Sequence, residues 1–326
     1  MNPNDKIYIA GHRGLVGSAL MRNLSAKGFD NFVTRTHAEL DLTSQAAVEA
    51  FFAAEKPEYV FLAAAKVGGI LANNTYPADF IAVNLAIQNN VIQAAHRHGV
   101  KRLLFLGSSC IYPRDCPQPM KEAYLLTGPL EPTNRPYAVA KIAGIEMCWA
   151  FNRQHGTQFL AVMPTNLYGP GDNYDLNTSH VIPALLRKFH EARVRGDKEV
   201  VVWGTGTPRR EFLYSDDMAD ACVFLMNLDA ARFRRVLDDG EGQLPPLVNI
   251  GTGVDLTIGE LAEQVGVAVG FGGDIVFDAS KPDGTPRKLL DVSRMNALGW
   301  QAGLSLQDGL KCAYHDFMRH SAHQPV

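Results

Sequence analysis

The chain has 326 residues, of which 46% are hydrophobic, and this is enough to bury a full core in one large or two moderate domains. Its net charge of -3 and pI near 6.4 exclude the strongly basic surface typical of proteins that bind nucleic acid or anionic membranes. The five cysteines show no CxxC pair or zinc-ligand spacing, and the N-terminus lacks a signal-peptide pattern, so we expect a cytoplasmic protein with reduced thiols and no metal.

Short apolar segments alternate with amphipathic segments through the first half of the chain. In order, the predicted elements are a strand in KIYIAG, a helix from Leu15 to Lys27, a strand in NFVTRT, a helix from Gln45 to Ala54, a strand in YVFLAAA, a helix from Asp79 to His98, a strand in RLLFLGSS, a helix from Tyr137 to His155 and a strand in FLAVMP. This alternation predicts an α/β fold with a doubly wound, Rossmann-like parallel sheet.

The pattern becomes irregular after residue 164, where Gly, Pro and Asn cluster in PTNLYGPGDNYDLN. A helix in VIPALLRKFHEAR and a strand in EVVVW follow, and the segment SDDMADACVFLMN is apolar enough to return to the first domain. We therefore predict a dinucleotide-binding domain from residues 1–164 plus about 215–230. A smaller C-terminal α/β substrate domain would take residues 165–214 plus about 231–326.

The motif GHRGLVG lies where the first strand meets the first helix and places glycines at Gly11, Gly14 and Gly17. Glycines there let the backbone approach a pyrophosphate at the helix N-terminus, although a merely tight turn is the alternative. The second strand ends in Arg35 without the carboxylate that favours NAD. Arg35 and Arg13 would bind a ribose 2′-phosphate, so we predict NADPH, the alternative being a solvated surface arginine.

The motif YAVAK places Tyr137 and Lys141 on one face of a predicted helix. An ammonium near the phenol would lower the pKa of Tyr137 and make it a proton donor for a carbonyl group. A Tyr-x-x-x-Lys pair alone is weak evidence for a catalytic site, because many such pairs on helices are incidental. Together with the glycine motif and with Ser108 at the end of the fourth strand, the pair becomes specific evidence.

These motifs resemble the extended short-chain dehydrogenase/reductases that act on nucleotide sugars. The resemblance covers nearly the whole chain and rests on GHRGLVG, VNLAIQNNVIQAA, LLFLGSSCIYP, YAVAK, MPTNLYGPGDN and RREFLYSDDMADA. It implies that Ser108, Tyr137 and Lys141 are catalytic. The cofactor contacts that we predict on this basis are Gly11, His12, Arg13, Gly14, Leu15, Val16, Gly17, Arg35, Asp41, Leu42, Ala63, Ala64, Leu106, Gly107, Ser108, Ser109, Lys141, Pro164, Thr165, Asn166, Leu167 and His180.

Longer runs, among them AAAKVGGILANNTYPADFI and LEPTNRPYAVAKIAGIEMC, are similar to one branch of that family, the GDP-4-keto-6-deoxy-D-mannose epimerase/reductases. The implied reaction inverts sugar carbons 3 and 5 and then reduces the 4-ketone with NADPH, giving GDP-L-fucose. The resemblance implies a homodimer and assigns Cys110 and His180 as the base and acid. His37 departs from the branch, which has a second cofactor-contacting arginine there. The predicted GDP-sugar contacts are Lys188, Trp203, Arg210, Asp283 and Lys288.

Each assignment has a structural alternative. Cys110 would otherwise be a small buried residue, His180 a helix cap, Trp203 a core aromatic and Lys188 a solvated side chain. Within the fold, a nucleotide-sugar 4-epimerase or 4,6-dehydratase is the alternative function. From another class, a non-catalytic dinucleotide-binding protein also fits.

Overall fold

The predicted parallel strands form, and most are buried along their whole length. The computed structural model describes residues 1–176, 178–238, 245–281 and 283–321. The strands are β1 Ile7–Ala10, β2 Phe32–Val33, β3 Tyr59–Leu62, β4 Arg102–Leu106, β5 Phe159–Pro164, β6 Asn166–Tyr168, β7 Glu199–Trp203, β8 Arg209–Tyr214, β9 Leu247–Ile250, β10 Asp255–Thr257, β11 Asp274–Asp278 and β12 Arg287–Lys288.

Helices follow most strands, as the amphipathic segments predict. They are α1 Leu15–Ala26, α2 Gln45–Glu55, α3 Ile70–Thr75, α4 Pro77–Arg97, α5 Arg135–His155, α6 Val181–Arg195, α7 Ser215–Asn227, α8 Ala230–Leu237, α9 Ile258–Val269, α10 Ser293–Leu298 and α11 Leu306–Ser321. No helix of the described residues is long and apolar enough to cross a membrane.

The main sheet has the strand order β2-β1-β3-β4-β5-β9, and every pair in it is parallel. This confirms the doubly wound α/β fold. The edge strand β9 pairs with β5, although it lies in the sequence range that we assigned to the substrate domain. The main sheet therefore includes a strand that lies outside residues 1–164 and about 215–230, the ranges that we assigned to the dinucleotide-binding domain.

Two apolar layers cover the main sheet, because successive residues of a strand point to opposite faces. Tyr8 and Ala10 pack in the layer that holds α2, α4 and α5. Ile7 and Ile9 pack in the opposite layer with α1 and α7. Helix α7 therefore packs beside α1 on this face of the main sheet.

A third apolar cluster lies in the later part of the chain and involves α6, α9 and α11. Strand β8 pairs there with β6, β10 and β12, and β7 pairs separately with β11. In the β8–β12 pair, Lys288 stands opposite Arg210. This pairing places two predicted GDP-sugar contacts side by side.

Candidate functional site

A cavity of about 960 Å³ opens at the carboxyl ends of the main-sheet strands. After β1 the chain crosses to one side of the sheet, and after β3 it crosses to the other side. The cavity lies at this switch point, which is where doubly wound sheets bind ligands. Gly11 after β1, Ala64 after β3, Ser108 after β4 and Thr165 after β5 all line it. Residues from four separate strands thus meet in one site.

The glycine turn is built so closely that side chains do not fit at two of its three glycines. Gly11 has a φ of 84°, and a Cβ there would lie 2.8 Å from the backbone nitrogen of Ala64. A Cβ on Gly17 would overlap the Gly11 carbonyl oxygen. These two glycines therefore hold the turn against the sheet and helix.

Gly14 differs from the other two because its surroundings are open. It is the N-cap of α1 with extended backbone, and no side chain caps the free N–H groups of the first turn. That turn also contains no acidic residue. An uncapped helix N-terminus of this kind fits a diphosphate, whose charge its N–H groups and dipole would stabilise.

Arg35 lines the other end of the cavity together with His37, Asp41 and Leu42. Its guanidinium donates to Glu55 Oε1 at 2.6 Å and to the Thr34 carbonyl at 2.8 Å. These two hydrogen bonds fix the guanidinium at the cavity wall, which suits a side chain that binds the 2′-phosphate of a cofactor. The predicted contacts His12 and Arg13 do not line the cavity, and the Arg13 side chain is exposed.

Ser108, Tyr137 and Lys141 meet at the inner end of the cavity. Lys141 is buried, donates to the Leu106 carbonyl at 2.8 Å, and has its Nζ 5.7 Å from the Tyr137 ring centroid. Burial lowers the pKa of Lys141 to about 8. Burial, and after it the nearby Cys110, raise the pKa of Tyr137, so the lowering that we expected from the ammonium is wrong.

Cys110 lies directly behind Ser108, in a short 3-10 helix over Ser109–Ile111. The Ser108 Oγ accepts from the Cys110 backbone N–H at 3.5 Å and also interacts with the Cys110 thiol and the Tyr137 phenol. Cys110 is 9% exposed and does not line the cavity. Burial raises the pKa of its thiol, whereas Ser108, Lys288 and Lys141 act in the opposite direction.

His180 approaches from the later part of the chain and does line the cavity. It is the N-cap residue of α6, but its side chain makes no capping hydrogen bond. Burial lowers the pKa of this imidazole. The helix-cap interpretation of His180 is therefore not supported, and the ring is available to a ligand.

The five predicted GDP-sugar contacts do not line this cavity. Trp203 is 65% exposed, which excludes the core interpretation, and Lys188 Nζ lies 4.8 Å from its ring centroid. Asp283 accepts from the Thr205 backbone N–H at 3.0 Å and acts electrostatically on Arg210. Lys288 stands opposite Arg210 on the paired strand β12.

The predicted cofactor contacts reach the cavity with the two exceptions given above. The cavity-lining residues in that set are Gly11, Gly14, Leu15, Val16, Gly17, Arg35, Asp41, Leu42, Ala63, Ala64, Leu106, Gly107, Ser108, Ser109, Lys141, Pro164, Thr165, Asn166, Leu167 and His180. The sequence reasoning missed Lys66, which pairs with Asp79 at 2.8 Å, and Val83 and Ile87 of α4. The position of Lys66 just after β3 was the available signal.

The chain is similar to known proteins over most of its length. Residues 7–236 match the model of the NAD dependent epimerase/dehydratase family. The chain belongs to this family. It is 60% identical to "GDP-L-fucose synthase 1" of Arabidopsis thaliana, over 96% of this chain and 93% of that protein.

Two further members of the family are informative. The chain is 56% identical to "GDP-L-fucose synthase" of Escherichia coli (strain K12), over 96% of both proteins. Among solved structures, a GDP-mannoheptose C4 reductase from Campylobacter jejuni with NADP bound has a TM-score of 0.89 and 44% identity, covering 98% of this chain and 99% of that one. Family members of this similarity thus include proteins named for a reduction at carbon 4.

Proposed function

We propose that the chain converts GDP-4-keto-6-deoxy-D-mannose to GDP-L-fucose, by inversion at sugar carbons 3 and 5 followed by reduction of the 4-ketone. The observation that carries this proposal is the position of Ser108, whose hydroxyl interacts with both the Tyr137 phenol and the Cys110 thiol. A ketone oxygen held by Ser108 and Tyr137 would bring its neighbouring carbons towards the thiol of Cys110, two residues after Ser108. Identities of 60% and 56% to proteins named GDP-L-fucose synthase support the same substrate.

Ser108 and Tyr137 would stabilise charge on the ketone oxygen in both stages of the reaction. During inversion this charge belongs to an enolate, and during reduction it belongs to the developing alkoxide that Tyr137 protonates. The same two donors serve both because each transition state places negative charge on one oxygen. Lys141 is buried beneath this pair, fixed by the Leu106 carbonyl, and its ammonium favours the charged form of the oxygen.

Cys110 and His180 would move the protons at carbons 3 and 5. Each inversion needs a base on one face of the sugar and an acid on the other. The two residues come from different parts of the fold, Cys110 from the end of β4 and His180 from the start of α6. A thiolate is a suitable base, and an imidazole is a suitable proton donor near neutral pH.

The residues of the 960 Å³ cavity fit NADPH. The uncapped N–H groups after Gly14 would bind its diphosphate, and Arg35, fixed by Glu55, would bind the 2′-phosphate. Lys141 would hold the nicotinamide ribose. When bound, this cofactor supplies the hydride for carbon 4.

Arg210 and Lys288 would bind the diphosphate of the GDP-sugar, since they are neighbouring cations on paired strands. Trp203 offers an exposed aromatic face for the guanine, with Lys188 beside it. Asp283 would accept a hydrogen bond from a ribose or sugar hydroxyl. With the GDP half bound by these residues, the sugar would extend towards Ser108 and Tyr137.

The experiment that tests this function incubates the purified chain with GDP-4-keto-6-deoxy-D-mannose and NADPH, and identifies the product by NMR. The proposal predicts GDP-L-fucose, with one NADPH oxidised for each molecule formed. A reductase that does not epimerise would give the 6-deoxy sugar with carbons 3 and 5 unchanged. A 4-epimerase or 4,6-dehydratase would consume no NADPH, because its hydride cycle is internal, and a binding protein would give no product.

We also propose the domain division, a cytoplasmic location and a homodimer. The separate apolar cluster around α6, α9 and α11 supports a substrate domain distinct from the main sheet. Free cysteines at all five positions support a reducing compartment. The packed pair of α4 and α5 carries an exposed apolar residue, Val139, and sedimentation analysis would test whether it joins two copies.

A further inference from the structure

Glu211 is a fully buried carboxylate on β8 that the proposed reaction does not use, and it follows Arg210 directly. Its Oε1 accepts from the backbone N–H groups of Thr252 and Gly253 at 2.6 and 2.7 Å, and its Oε2 accepts from the N–H of Leu290 at 2.9 Å. A carboxylate presents acceptors on both oxygens and no donor. Three N–H donors therefore match a carboxylate better than they match an amide.

These N–H groups belong to two segments that lie far apart in the sequence. The first segment is the turn of residues 251–253, which follows β9, the edge strand of the main sheet. It lies so close to the carboxylate that a Cβ on Gly251 would overlap Glu211 Oε1. The second segment follows β12, and in it Leu290 comes two residues after Lys288. The carboxylate therefore joins the main sheet to the paired strands β8 and β12.

The contact with Leu290 is important because β12 is very short. Its two residues stand opposite Arg209 and Arg210 of β8, so few ladder hydrogen bonds hold the two strands together. Backbone hydrogen bonds between the segment after β12 and Met120 hold that segment to a different loop. The carboxylate of Glu211 adds a contact from β8 itself, just beyond the last paired residue.

The cofactor side of the site is attached to the backbone of Glu211. Thr165 Oγ1 and Asn166 Nδ2 donate to the Glu211 carbonyl oxygen at 3.1 and 2.8 Å. Both of these residues line the cofactor cavity. Because a change of the Glu211 side chain leaves its backbone carbonyl in place, an experiment can separate the effect on the substrate side from the effect on the cofactor side.

We propose that Glu211 is a positioning residue whose carboxylate holds β12 on β8, so that Lys288 and Arg210 stand side by side for the diphosphate of the sugar nucleotide. This inference rests on the proposed function, in which these two cations bind that diphosphate. Like charges that stand opposite each other on paired strands repel, so the strand pair needs support from neighbouring contacts. Since successive residues of a strand point to opposite faces, the carboxylate supplies this support from the face opposite to Arg210.

The test is the binding of GDP, a probe that carries a diphosphate and does not react. Calorimetric titration with GDP at saturating NADP+ gives its Kd for the wild type, Glu211→Gln and Glu211→Asp, and fluorescence titration gives the Kd for NADPH. In Glu211→Gln one oxygen can still accept from the turn of residues 251–253, but the amide nitrogen then faces the N–H of Leu290, donor against donor. In Glu211→Asp the side chain is one methylene shorter and does not reach both segments.

Glu122→Gln is the matched control. Glu122 is a carboxylate that accepts from a backbone N–H of the main sheet, since its Oε1 accepts from Asn249 of β9 at 3.0 Å. A single amide oxygen replaces this acceptor. Glu122→Gln should therefore keep the wild-type Kd for GDP and for NADPH.

Both Glu211 variants should raise the Kd for GDP roughly tenfold, because a misplaced cation loses a charge-assisted hydrogen bond to the diphosphate. The Kd for NADPH should change by less than about twofold, because the cofactor side keeps its contacts with the backbone carbonyl. Hydrogen exchange should be faster at the Leu290 amide, and the Tm should fall, because a buried N–H has lost its acceptor.

A wild-type Kd for GDP in a folded variant of either kind would overturn the positioning role. A purely structural role would lower the Tm and either leave both Kd values unchanged or raise them equally, and this result would overturn the proposal too. The two variants guard against a folding defect in either one, and thermal unfolding of each confirms the fold.

Turnover separates this inference from the proposed function. If the wild type forms GDP-L-fucose but the Kd for GDP is unchanged in the folded Glu211 variants, the positioning role is wrong and the function stands. If no GDP-L-fucose is formed but the Kd for GDP rises as predicted, the positioning role stands and the function is wrong. In an active enzyme the variants should raise the KM for the sugar nucleotide and leave kcat within about twofold, whereas a lower kcat at unchanged KM would overturn the positioning role.

Discussion

Gly14 and Gly17 offer a direct test of which part of the glycine turn serves the fold and which serves the cofactor. The change is Gly14→Ser, compared with Gly17→Ala. Gly14 has φ of -77° and ψ of 171°, which a serine N-cap adopts readily, and an added Cβ would lie 3.4 Å from the Gly11 carbonyl oxygen. The serine hydroxyl would then accept from the free N–H groups of the first turn of α1.

Gly14→Ser should therefore keep or slightly raise the Tm while weakening NADPH binding. The cap itself is worth a few tenths of a kcal/mol relative to glycine. Loss of a charge-assisted hydrogen bond to the diphosphate costs about 1.5–3 kcal/mol, so the Kd for NADPH should rise roughly tenfold to a hundredfold. Differential scanning calorimetry and fluorescence titration with NADPH measure the two effects.

Gly17→Ala should instead lower the Tm, because its added Cβ would lie 2.6 Å from the Gly11 carbonyl carbon and 2.8 Å from the His12 Cα. These are backbone atoms, so the turn itself must move, at a cost of about 1–3 kcal/mol and a fall of a few degrees in Tm. Wild-type affinity for NADPH in Gly14→Ser would refute the assignment of the helix N-terminus to the diphosphate. Wild-type stability in Gly17→Ala would refute the packing argument.

Three further predictions concern single charges. Burial lowers the pKa of Lys141 to about 8, so its ammonium loses a proton as the pH rises through that value. The kcat for ketone reduction should fall over the same pH range, and Lys141→Arg should remove this fall from the kcat–pH profile. Burial raises the pKa of Asp172 to about 6, so its ionised carboxylate destabilises the fold increasingly as the pH rises towards 6. Asp172→Asn should therefore raise the free energy of unfolding by about 1–2 kcal/mol at pH 7, and should leave it unchanged near pH 3, where the carboxyl group is protonated. Arg35→Ala should raise the KM for NADPH about tenfold or more and leave that for NADH unchanged in steady-state assays, because only NADPH carries the 2′-phosphate.

The main sheet and the cofactor cavity were predictable because their signals are local. Continuous apolar runs such as Leu103–Leu106 are typical of strands buried on both faces, and parallel strands bring their carboxyl ends together at one edge. Once the order of strands is known, residues just after β1, β3, β4 and β5 must meet. Gly11, Ala64 and Ser108 follow from this rule without any knowledge of side-chain packing.

Other features depend on contacts between distant parts of the chain, which periodicity does not encode. Strand β9 is a short LVNI run whose place is set by its pairing with β5. The docking of Leu289 and Asp291 on Met120 depends on backbone hydrogen bonds between the segment that follows β12 and a loop far from it in the sequence. The fixing of Arg35 by Glu55 likewise joins the end of one strand to the end of the next helix.

At Tyr137 the predicted pair forms, but the pKa shifts in the direction opposite to the one predicted. The spacing of Tyr137 and Lys141 on α5 does bring the phenol near the ammonium. Burial was not visible from the spacing, however, and it dominates the pKa of both groups. Sequence patterns therefore locate the pair, whereas its ionisation depends on how much solvent the fold excludes.

Deuterium uptake during turnover tests the central claim, that one site inverts carbons 3 and 5 and then reduces carbon 4. The chain is incubated with GDP-4-keto-6-deoxy-D-mannose and NADPH in deuterated water, and deuterium in the sugar is located by NMR and mass spectrometry. Wild-type product should carry deuterium at carbons 3 and 5, and Cys110→Ser should suppress this uptake. Tyr137→Phe keeps Ser108 on the ketone oxygen but loses the proton donor, so it should slow exchange only in part and mainly suppress reduction. Undiminished uptake at both carbons in folded Cys110→Ser would contradict the account.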